Sequence, residues 1–157
     1  MRLTSPAIEE GGQIPIQYTK DGENIAPPLS WGDLPRKAEE LALLFECTTP
    51  STKEPFTQWL VYGLSPEREG LPEGMKHKRD PETPGEAVHG RNDIGNVGYD
   101  GPLGSAGKRM DYRFRLLALD RPLGLGPGAA PDAFDDAIKG HILDSASLIC
   151  SHERPPA

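Results

Sequence analysis

Tyr112-Arg113-Phe114-Arg115-Leu116-Leu117-Ala118-Leu119 decides how the rest of the chain is read. Its first half alternates apolar with charged residues, the period of a strand with one covered face. Its second half is apolar throughout, as a strand buried on both faces must be. The segment therefore enters a covered sheet, and Asp120-Arg121-Pro122 ends it. Three more short strands are bounded by turn residues. They are 14–19 before Lys20-Asp21-Gly22, 40–46 before Thr48-Thr49-Pro50, and 59–63. Ala146, Leu148 and Cys150 alternate with Ser145, Ser147 and Ser151, which predicts a final short strand that only Ile149 interrupts. One helix is signalled, 131–139: Pro131 and acids stand in its first turn, Phe134 and Ile138 are spaced i,i+4, and Gly140 ends it.

Seventeen prolines and eighteen glycines among 157 residues cut the chain into short segments and disfavour long helices. The fold class expected is mainly β, an antiparallel sandwich forming one domain over 1–153 with a flexible tail at 154–157. The Gly-, Pro- and charge-rich stretch 67–107 is longer than loops normally run without a function, so a site is sought there. The longest apolar run, 41–45, is far too short for a membrane span. Seventeen basic against 24 acidic residues give a net charge of -7. The one basic cluster, Lys76-His77-Lys78-Arg79, stops at Asp80, so a nucleic-acid partner is not expected. The opening Met1-Arg2-Leu3-Thr4-Ser5-Pro6 has no apolar stretch behind it, which reads as a cytoplasmic protein. Cys47 and Cys150 are then expected as free, buried thiols.

Along the chain stand, in order, Tyr18-Thr19-Lys20-Asp21-Gly22 running to Pro27-Pro28-Leu29-Ser30-Trp31, Gln58-Trp59-Leu60-Val61-Tyr62, Gly90-Arg91-Asn92-Asp93, Gly98-Tyr99-Asp100-Gly101-Pro102, Tyr112-Arg113-Phe114 and Gly140-His141-Ile142-Leu143. Together these segments resemble the phosphatidylethanolamine-binding proteins, in their bacterial and archaeal, Raf kinase inhibitor-like branch. The resemblance implies an antiparallel β-sandwich with one or two short helices near the C-terminus. It also implies a small cavity that binds anionic groups such as a phospholipid head group. Carried onto this sequence, the cavity residues are Glu46, Thr48 and Pro50 from an acidic stretch, Gln58 and Trp59, Gly101 and Pro102, and Met110 with Tyr112. The family's two histidines fall on Gln58 and Met110, Asp111 replaces an Arg, and Leu103 replaces a Pro. Histidine donates and can become charged near neutral pH; glutamine cannot gain charge and methionine cannot donate. A neutral or more apolar ligand is therefore expected in place of phosphate.

Other chemistry finds little support. His89, His141 and His152 have no metal-ligand spacing with Glu46 or Asp93, so no metal or cofactor is expected. His89, Asn92 and Asp93 read as residues that hold the long loop. Ser105 lacks the surroundings of a nucleophile elbow, and Gly101, Gly104 and Gly107 lack the spacing of a phosphate loop. The leading reading is a non-enzymatic binding protein for a small molecule. One alternative is an enzyme with Glu46 as general base and Tyr112 as an orienting donor. Another, by analogy with the family, is a protein that works through its surface, inhibiting a kinase or protease target or pairing as a homodimer.

Overall fold

A computed structural model describes residues 1–49, 55–75, 87–103 and 107–154. Pro50, the 76–79 basic cluster and Ser105 lie outside the described residues. Two antiparallel sheets face each other. The smaller orders β1 (Arg2–Thr4), β2 (Leu29–Gly32) and β5 (Gly70–Leu71) as β1-β2-β5. The larger runs β6-β4-β3-β7-β8, built from β3 (Glu40–Cys47), β4 (Phe56–Leu64), β6 (Val88–His89), β7 (Arg109–Leu119) and β8 (Ile142–Glu153).

The parity of side chains along the central strands divides the core in two. Leu41, Leu43, Phe45 and Cys47 of β3 point inward with Tyr112, Phe114 and Leu116 of β7, and meet Leu3, Trp31 and Leu71 of the small sheet. Ala42 and Leu44 point outward and are covered by helix α1 (Pro131–Ile138). Phe134 and Ile138 are the buried residues of α1, as their i,i+4 spacing requires, and each contributes about 2 kcal/mol by leaving water. Residues 116–119 are buried, as their unbroken apolar run predicts.

Two sequence expectations are corrected. Residues 14–19 form no strand: Ile16–Tyr18 is a single 3-10 turn, entered from Pro15 at φ -59 and ψ 145. Pro15 brings no N–H to a ladder, and Thr19 Oγ1 closes the turn by donating to Ile16 O at 2.8 Å. The C-terminal strand, expected to be short, runs for 12 residues and pairs with β7 along its length. Its first half is exposed, so backbone pairing rather than side-chain burial sets its length. Its outer edge is met near its end by the 11–14 segment, whose Gly11 and Ile14 N–H groups donate to Ile149 O and Ser151 O. Arg154, the start of the expected tail, accepts a bond from Gly107 N–H and places Nε 3.2 Å from Asp21 Oδ1.

Candidate functional site

Where the inner core ends, the sandwich opens into a cavity of about 320 Å³. Cys47 closes β3, Phe56 and Gln58 begin β4, and Met110 and Tyr112 begin β7. Gly101, Leu103 and Ile94 come from the long loop, and Lys20 from the turn after the 3-10 segment. Behind this lining is an aromatic floor: Phe45 stacks on Phe114 at 4.1 Å and on Tyr99 at 5.8 Å, and Trp59 meets Tyr99 edge-on at 5.2 Å.

A β-bulge places Gln58. Phe45 pairs with Trp59 and Glu46 with Thr57, which leaves Gln58 unpaired between them. The extra residue turns its side chain toward the loop, where Nε2 donates to Asp100 O at 2.9 Å and Gly101 O at 3.1 Å. Asn92 holds the loop as its residue type predicts. Its Nδ2 reaches Gln58 O, Gly98 O and Asp100 Oδ2, and its Oδ1 accepts from the N–H groups of Ile94, Gly95 and Asn96. Asp93 Oδ2 accepts from Thr57 N–H at 2.7 Å, tying the same loop to β4. Gly101 tolerates no side chain, since a Cβ there would lie 2.1 Å from Tyr18 O.

Of the residues carried over from the sequence, Gln58, Gly101, Met110 and Tyr112 meet around this cavity. Trp59 is sealed in the core behind it, with no exposure. Pro102 is buried beside the cavity without lining it, its carbonyl accepting from Lys20 N–H at 2.9 Å. Thr48 bonds back to Asp111 O through N–H at 2.9 Å and through Oγ1 at 3.3 Å. Glu46 is the main departure. It is buried on the opposite face of the sheet, 3.0 Å from Arg113 Nη2 and 3.3 Å from Arg115 Nε and Nη2. The reason is strand parity: Cys47 shares the inward face with Phe45, so its neighbour Glu46 points out. Lys20, Cys47, Phe56 and Ile94 also line the cavity and were not singled out as site residues, whereas Leu103 stands where the family's Pro would. For Cys47 the signal was available, because counting by twos from Phe45 reaches it.

The phosphatidylethanolamine-binding protein profile matches residues 4–153. The chain belongs to that family. A relative from the archaeon Methanothermobacter thermautotrophicus, called a UPF0098 protein, is 40% identical over 155 residues, covering 98% of this chain and 99% of its own. A UPF0098 protein of Chlamydia trachomatis is 36% identical over 158 residues, 98% of this chain and 99% of its own. The crystal structure of the Chlamydia trachomatis phosphatidylethanolamine-binding protein homolog CT736 matches with a TM-score of 0.84 at 35% identity, covering 98% of this chain and 97% of that one. Escherichia coli YbcL shares the fold at a TM-score of 0.87 and 23% identity, over 97% of both chains.

Among the described residues the charges at the cavity are paired. Lys20 Nζ lies 3.4 Å from Asp100 Oδ1, and the other oxygen of Asp100 accepts from Asn92 at 2.6 Å and Asn96 at 2.9 Å. Burial alone would raise the Asp100 carboxyl, but these donors and the ammonium outweigh it and hold the group below its ordinary value. Burial pushes the Tyr112 phenol and the Cys47 thiol up, and the two interact, so both stay protonated at neutral pH. A raised thiol is a poor nucleophile. Among the described residues no histidine lines the cavity; His152, across the ladder from Met110, sets Nε2 3.1 Å from Asp21 Oδ2. Cys47 and Cys150 are free and buried. Among the described residues no group of three His, Cys, Asp or Glu side chains could hold a metal ion, and no helix is long and apolar enough to cross a membrane.

Proposed function

We propose that the chain is a non-enzymatic binding protein whose cavity takes a small, neutral, partly apolar ligand in place of an anionic head group. One observation carries this reading: among the described residues the cavity lining offers no imidazole, and its single cation, Lys20, is already matched by Asp100. An anion entering the cavity would have to compete with that pairing. The apolar walls of Phe56, Leu103 and Met110 favour a ligand that brings little charge. The acid/base alternative loses its base, because Glu46 does not line the cavity and is engaged by two guanidiniums.

Calorimetric titration with inorganic phosphate and phosphoethanolamine tests the reading. Neither is expected to bind below millimolar concentration; a micromolar dissociation constant for either would end it. Native mass spectrometry of protein from its own host should show a co-purifying neutral molecule. A second reading, contact with another protein or a second copy along β8, is supported by Ile142, Leu143 and Ile149, which stand 46%, 38% and 39% exposed on one edge strand. Sedimentation of the Leu143→Lys variant against the parent would reveal such an association as a lost dimer.

A further inference from the structure

The cavity reading can be taken to a ligand class, because Gln58 has only one way to stand. Its two nearest polar neighbours, at 2.9 and 3.1 Å, are the backbone carbonyls of Asp100 and Gly101. Carbonyl oxygens accept and never donate, so the amide nitrogen must face them and both of its hydrogens are used there. Oε1 then has no donor among the described residues, yet it is not among the atoms shut away from solvent without a partner. Gln58 as a whole is only 7% exposed, so the opening that Oε1 meets is the cavity itself.

The geometry points to a ligand that donates a hydrogen bond to Gln58 Oε1: a small neutral molecule with an O–H on an apolar body. This rests on the proposed use of the cavity and fixes its polarity. A phosphate or carboxylate would set negative oxygen against the amide oxygen, and the Gln58 N–H groups are not available to it. An ammonium ligand would find no free carboxylate among the described lining residues, since Asp100 beside the cavity is already matched by Lys20, Asn92 and Asn96. A hydroxyl satisfies Oε1 while its carbon body rests on Phe56, Leu103 and Met110, the same lining that excludes charge. The substitution thus does more than remove a cation: the bulge and the two carbonyls turn a position that suits a donor into an acceptor.

Benzyl alcohol and anisole are isomers, one with a hydroxyl donor and one without, and they make the test. Amide chemical shifts followed by NMR during titration of the wild-type protein should move at Gln58, Gly101 and Tyr112. The alcohol is expected to bind about tenfold more tightly than the ether, the loss that follows from leaving one buried acceptor unpaired. In Gln58→Met the two should bind alike; the wild-type comparison decides the matter even if that variant fails to fold. Anisole binding as well as the alcohol would overturn the donor requirement and leave the cavity reading standing. Shifts at none of these residues with either probe would overturn both.

Discussion

Glu46 and Cys47 are consecutive residues with opposite fates. One side of the large sheet ends in a cavity whose groups, among the described residues, are neutral or matched. The other side, one residue away, buries a carboxylate between Arg113 and Arg115. The same two strands supply both, since Glu46 pairs with Arg113 and Cys47 with Tyr112. The family likeness places an acid at this point in the sequence without saying which face receives it. In this chain the acid serves the sheet, and Lys20, the cation that lines the cavity among the described residues, is paired with Asp100 instead.

The sharpest way to break the contrast is Glu46→Gln. Removing the charge leaves two guanidiniums side by side at a half-buried site, and a loss of about 3 kcal/mol is expected in urea denaturation. Ligand binding should survive in the folded fraction; a variant that folds normally but binds differently would put Glu46 back in the cavity. Next in size is Gly101→Ala, whose methyl group would displace Tyr18 O and lift Gly101 O from Gln58. It should cost about 2 kcal/mol and weaken benzyl alcohol binding as well, so that stability and binding fall together on this face only.

Asp100→Asn sharpens the electrostatic side. The carboxyl is held below its ordinary value, so its contribution is complete above the unfolded value of about 3.9 and is lost as pH falls through the folded one. The variant should be about 1 kcal/mol less stable at pH 7, with the difference from wild type closing in strong acid, as followed by denaturation at a series of pH values. The smallest effect is chemical. Burial raises both thiols, Cys150 to about 12, so iodoacetamide should label each slowly near neutral pH. Cys47, which lines the cavity, should be labelled first, and benzyl alcohol should slow Cys47 alone when peptides are weighed by mass spectrometry.

Most of the large sheet was legible because its central strands carry burial in their sequence. The unbroken run 116–119 and the alternation before it announce a strand covered first on one face and then on both. The small sheet was not legible, since strands of two to four residues leave no periodicity to read. At residues 14–19 a β-like composition was overruled by Pro15, and the segment lies as a turn against the core. In the cavity, Gln58, Gly101, Met110 and Tyr112 were legible through the family motifs. Lys20 and Ile94 were not, because nothing local says that a turn and a distant loop end beside the same strands.

Residue type and spacing account for the β architecture, the helix over Phe134 and Ile138, and the absence of the two family histidines from their expected places. The face that Glu46 takes and the direction of the Gln58 amide are set by the packing of distant segments. Those two facts depend on a bulge between β3 and β4 and on two carbonyls from a loop some forty residues away. A side chain's polarity toward a ligand is set by the partners that occupy its other atoms, and the folded chain alone brings those partners within reach.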